Sequence, residues 1–159
     1  MNPYASWIEG RDPMAVLTAT PEQLSALIER IGSAGMKRSL EPGKWNVSQI
    51  LTHLAQCELA FSHRIRQAAS QTEYVAQSFD QDQWMSLEPV AEDDRALQAF
   101  VALRNWNLGL YRSFSAADRA RAFHHPHLGE QSVQELLELI AGHELNHLAQ
   151  LEQIASQTE

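Results

Sequence analysis

A chain of 159 residues that is 44% hydrophobic is long enough to bury the core of one domain. Its formal net charge is −8, from 12 Lys and Arg against 20 Asp and Glu, and no basic block occurs, so the electrostatic footprint of a nucleic-acid binder is missing. No stretch approaches the roughly 18 apolar residues of a membrane span, MNPYASWIEGRDP lacks a basic region leading into an apolar one, and the single Cys57 excludes an internal disulfide framework; a cytoplasmic protein in a reducing compartment, without a membrane partner, is expected.

Helix signals recur along the chain. Thr20-Pro21-Glu22-Gln23 places an N-cap, a proline at the first helical position and a glutamine at the third, ahead of Leu24, Leu27, Ile28 and Ile31 at helical spacing. Gly32 to Gly35 end that helix, and residues 1–19 are expected to form an N-terminal extension packed on the bundle. Asn46 with Gln49 caps a second helix, whose stripe of Val47, Ile50, Leu51, Leu54, Phe61 and Ile65 carries it to about Ser70. Thr72 to Val90 loses the period but contains Phe79, Trp84 and Pro89, which predicts an ordered connection of crossover length. Acidic residues at Glu92-Asp93-Asp94 open a third helix, which runs through Leu97, Phe100, Val101, Leu108 and Tyr111 to about Phe114. A loop, His124-His125-Pro126-His127-Leu128-Gly129, leads to Ser132 and Glu135, the capping pair of a fourth helix that ends near the C-terminus. No strand alternation or repeat competes, so residues 1–159 are predicted to form a single all-α domain, an antiparallel four-helix bundle with a long connection between helices two and three.

The fourth helix carries the strongest chemical signal. His143 and His147 fall on its apolar stripe, among Val133, Leu136, Ile140 and Ile154, so two imidazoles occupy positions where core hydrophobes belong. Buried imidazoles need partners, and two neutral ones a helical turn apart suit a divalent cation; core histidines bonded to backbone carbonyls are the competing reading. His53, at the edge of the inward face of helix two, is the best third ligand, giving a three-nitrogen site with open positions for water.

Other candidates carry two readings each. HELNH satisfies the H-E-x-x-H pattern with Glu144 as general base, but only residues 148–159 follow, without a histidine or a suitably distant acid, so Glu144 is a weak candidate base or supporting group beside its reading as a solvated or helix-paired glutamate. Arg104, between Val101 and Leu108, could hold a substrate anion or pair with Glu58, itself a weak candidate to support the ligands. Arg64 and Arg66 are ambiguous in the same way. His124, His125, His127 and His63 are expected to lack a fixed ligating geometry, and Cys57 to be an inert apolar residue, with an accessible thiolate as its alternative.

The runs PGKWNVSQILTHLAQCELAFSHRIR, FDQDQW, ALRNW and HHPHLGEQSVQELLELIAGHELNHLAQL together resemble the DinB-like superfamily, in its YfiT-like branch, over nearly the whole chain. The resemblance implies a four-helix bundle, usually dimeric, with a divalent metal on three histidines that map onto His53, His143 and His147. Nickel, zinc and iron all suit such a nitrogen set. It further implies a metal-dependent hydrolase, or a transferase that activates a low-molecular-weight thiol, acting on a small-molecule substrate that the sequence does not name; fold likeness does not choose between these chemistries. The alternative is a noncatalytic metal-binding bundle serving stress response or ligand sensing.

Overall fold

The computed structural model describes residues 2–157. After a short turn of helix, α1 (Ala5–Ile8), come α2 (Pro13–Ile31), α3 (Val47–Ser70), α4 (Gln81–Leu87), α5 (Arg95–Ser113), α6 (Ala116–Arg119), the strands β1 (Ala122–His125) and β2 (Gly129–Ser132), and α7 (Val133–Ser156). The four long helices form the bundle. Both α2 and α3 pack on α5 and α7, so the consecutive helices α2 and α3 occupy opposite corners.

The expected caps are formed. Asn46 accepts from the Gln49 backbone while the Gln49 side chain accepts from the Asn46 N–H, and Ser132 and Glu135 repeat the exchange at the start of α7. Gly32, at φ 69°, ends α2 with its N–H on the Ile28 carbonyl.

Two expectations are corrected. The first long helix begins not at Thr20 but at Pro13, capped by Asp12, whose side chain accepts from the Met14 N–H. Pro21 therefore lies inside the helix and cannot donate to the Leu17 carbonyl. That carbonyl instead accepts from Nη1 of Arg104 on α5, at 3.2 Å, so a tertiary contact replaces the bond proline removes. Residues 13–19 are thus bundle helix rather than extension.

The second correction is the expected histidine loop, which is a β-hairpin. β1 and β2 pair antiparallel from Ala122↔Ser132 to His125↔Gly129, and Gly129 takes the φ of 76° that the turn needs. Phe123 is buried, and His124 exchanges backbone bonds with Tyr74 and Ala76, tying the hairpin to the segment after α3. The connection between α3 and α5 is ordered as expected: Asp80 caps α4, and Phe79 lies between Phe61, edge to face, and Trp84, tilted, with centroids 6.2 and 4.8 Å away.

The core divides in two along the helices. Leu24, Leu51, Leu54, Phe100, Leu151 and Ile154 belong to one apolar cluster, and Phe61, Ile65, Leu108, Tyr111, Leu137 and Ile140 to another. Near their junction three of the helices bury polar residues, among them His53 and Glu58 on α3, Arg104 and Asn107 on α5, and His143, Glu144 and His147 on α7. Among the described residues no helix is long and apolar enough to cross a membrane.

Candidate metal centre

His143 is the hub of the polar layer. Its Nε2 lies 3.0 Å from Nε2 of His53 and 3.1 Å from Nε2 of His147, and all three rings are buried. The i, i+4 spacing on α7 stacks its two histidines on one face, and α3, packed alongside, supplies the third. Trp45 and Tyr4 close over His53 and His143, with ring centroids 4.8 and 5.2 Å away. Tyr4 approaches so closely because Gly142 has no side chain: a Cβ there would stand 2.7 Å from the Tyr4 carbonyl oxygen. The N-terminal segment packs on the bundle through this contact.

The cluster is electrostatically unusual. Burial first, and the neighbouring imidazoles second, push His53 down to about 3 and His143 well below the ordinary histidine value; burial also lowers His147. All three are neutral at pH 7. A neutral imidazole nitrogen carries either one proton or one lone pair, so Nε2 of His143 can satisfy only one of its two close contacts as a hydrogen bond. A cation beside His143 Nε2 would take up the lone pairs that hydrogen bonding leaves unmatched. Two nitrogens about 2.0–2.1 Å from a tetrahedral ion stand about 3.3 Å apart, close to the separations found. Nδ1 of His147 lies 3.0 Å from Oε1 of Gln150, which can only accept, so the proton belongs on Nδ1 and the lone pair on Nε2. Nδ1 of His143 is buried without a partner among the described residues.

Cys57 joins this group. Its Sγ lies 3.5 Å from Nε2 of His53, and His53, Cys57 and His143 offer ligand atoms within 4.8 Å of one another. Burial pushes the thiol far above its ordinary value, with Glu144 adding to it. The i, i+4 relation of His53 to Cys57, the same spacing as His143 to His147, is the sequence signal for this placement.

The two glutamates lie in a separate layer around Arg104. Arg104 is 0% exposed; its Nη1 donates to Oε2 of Glu144 at 2.9 Å, and its Nη2 donates to Oε1 of Glu144 and to Oε2 of Glu58, the latter at 2.5 Å. Asn107 donates to the other Glu58 oxygen at 2.6 Å. Burial raises Glu144, partly offset by Arg104, while the two carboxylates outweigh burial for Arg104 and raise it. The Arg104–Glu58 pair is one of the readings of Arg104; Glu144, read as solvated or helix-paired, is instead buried and pairs across to α5 with both of its oxygens.

Beside the histidines opens a cavity of about 430 Å³, lined by His53, Cys57, Phe61, Arg64, Phe79 and His143 among others. Its walls are mostly apolar, as in small-molecule sites. His125 and His127 reach its rim, but Nδ1 of His125 accepts from the His127 and Leu128 N–H groups, so the hairpin holds this ring.

The family model described as the DinB superfamily matches residues 17–151. A protein of Oceanobacillus iheyensis, named as a candidate metal-dependent hydrolase, is 26% identical over 135 residues, covering 82% of this chain and 77% of its own length. Another with that description, from Halalkalibacterium halodurans, is 22% identical over 144 residues, covering 90% and 84%. The solved structure of YfiT from Bacillus subtilis, described as an unusual four-helix bundle, superposes with a TM-score of 0.83 at 21% identity over 92% of this chain and 85% of that one. The match over residues 17–151 shows that the chain belongs to the DinB superfamily, and the structural likeness shows that it shares the YfiT four-helix-bundle fold.

Proposed function

We propose that His53, His143 and His147 hold one divalent cation, nickel, zinc or iron, and that the chain is a metal-dependent enzyme acting on a small molecule in the adjoining cavity. The observation that carries this reading is the approach of His143 Nε2 to the Nε2 atoms of its two neighbours, 3.0 Å to His53 and 3.1 Å to His147, although the ligand atoms that all lie within 4.8 Å of one another are those of His53, His143 and Cys57. A cation there would lower the pKa of a bound water or low-molecular-weight thiol and so supply a nucleophile at neutral pH. The chain's own part is to keep the imidazoles unprotonated, exclude water with Phe61 and Phe79, and present the substrate to the ligands from the cavity side. The names of the relatives favour hydrolysis. Thiol transfer is the second chemistry the same donor set admits. The reading has the protein work in the cytoplasm as a homodimer, with neither nucleic acid nor membrane as partner.

One observation favours a noncatalytic, sensing or structural role: Cys57 lies near enough to His53 to serve as a closing fourth ligand. Cobalt substitution separates the two. With an open position, adding 2-mercaptoethanol to the cobalt protein brings in a thiolate charge-transfer band, and the Cys57→Ser variant responds alike. A band already present without added thiol, absent in Cys57→Ser, contradicts the enzyme reading and favours the closed site.

A further inference from the structure

The bundle buries two arginines, and they are held in opposite ways. Arg104 meets two carboxylates. Arg64, only 7% exposed, forms no ion pair among the described residues. Its Nε and Nη2 both donate to a single carbonyl, that of Gln77, at 3.2 and 2.6 Å, and its Nη1 makes no hydrogen bond among the described residues. The guanidinium stands 5.4 Å from the Phe61 centroid and 5.7 Å from that of Phe79, so two cavity rings fix its place.

A buried cation without a counter-charge is costly, and Tyr74 and Cys57 offset the burial of Arg64 only in part. Cys57, Tyr74 and His125 sense the Arg64 charge, and none of the three is a carboxylate. Burial accordingly lowers Arg64, whereas Arg104 is raised. Asp80 also borders the cavity, but its Oδ1 caps α4 by accepting from the Asp82 and Gln83 N–H groups. His53, Cys57, Phe61 and Arg64 follow one another along the same side of α3 and line one cavity, in which the Phe61 ring stands between the Arg64 guanidinium, 5.4 Å from its centroid, and the His143 ring, 6.2 Å away.

We infer that this cavity selects small molecules with an apolar body and a carboxylate, the carboxylate taken by Arg64 and the body by Phe61, Phe79 and the neighbouring leucines. The inference rests on the cavity being the substrate site of the proposed enzyme, and makes Arg64 its specificity-determining residue. A guanidinium presents a planar donor edge that suits a carboxylate, and a neutral isostere leaves that edge unmatched. Read at Arg64, the carboxylate leaves the other end of the ligand beside the histidines.

Calorimetric titration with 4-phenylbutanoate, straight-chain acids from pentanoate to decanoate, and the matching amides tests this on zinc-loaded and on chelator-treated protein. The expected result is that the acids bind about tenfold or more tightly than their amides in both preparations, and that Arg64→Gln brings the ratio close to one. Arg64→Lys, which keeps the charge but not the planar edge, retains part of the preference; if Arg64→Gln does not fold, Arg64→Lys and the wild-type ratio decide. Equal binding of acid and amide overturns the inference, as does binding of no acid in the series. A preference seen only with zinc and unmoved by Arg64→Gln also overturns it, because the carboxylate is then read by the metal. The chelator-treated arm needs no metal, so a failure of the metal reading leaves the Arg64 result legible.

Discussion

Protonation of the three histidines sets the first expectation. In the unfolded chain they take up protons near pH 6.5, whereas in the fold His53 resists until about pH 3 and the other two are also lowered. The unfolded state therefore binds more protons below pH 6.5, and stability is lost as pH falls from there toward 3. Glu144, raised by burial, works in the opposite direction as one group against three. Denaturant midpoints of chelator-treated protein should fall steadily between pH 7.5 and 5, and His143→Ala should flatten that slope; a flat wild-type profile would contradict neutral burial. Metal release should follow acidification over the same range, because ligands must be unprotonated to bind. His143 and His147 stand out in the sequence because imidazoles interrupt an apolar stripe. Cys57 does not, because a cysteine on such a stripe passes for a small hydrophobe until the packing of α3 against α7 brings it to the rings.

At the scale of elements, the polar layer is a fixed joint between helices. Arg104→Met would leave Glu58 and Glu144 buried without their cation, and should destabilise the fold by about 3–5 kcal/mol in equilibrium unfolding, since a broken buried ion pair exposes the full cost of the unpaired charge. It should also loosen α2, whose Leu17 carbonyl would lose its replacement donor. Gly142→Ala should displace Tyr4 from His143, and faster proteolysis of the N-terminal segment would report it. The caps at Asn46 and Ser132 are legible in the sequence because each is a local exchange over three residues. The true start of α2 is not, because Thr20-Pro21 imitates an N-terminus and the compensating contact comes from Arg104, 87 residues away. The hairpin is equally hidden: its strands are four residues each, AFHH and GEQS, too short and too poor in β-branched residues to show an alternating pattern.

At the scale of the whole molecule, two apolar clusters grip a central polar layer, and that layer separates into a histidine cluster facing a cavity and an Arg104 network that does not line it. The bundle thus holds rigid what a metal would need held, while one end of its cavity stays open to a ligand. Both readings of the histidine cluster, the catalytic and the closed one, depend on its binding a metal. The most direct test is elemental analysis of tag-free protein beside the His143→Ala/His147→Ala double variant, both shown folded by circular dichroism. About one divalent metal per chain in the wild type and none in the variant is the predicted result. A folded wild type that takes up neither zinc, nickel nor iron, with an unchanged thermal midpoint on adding each, would contradict the account and leave three core imidazoles without a ligand.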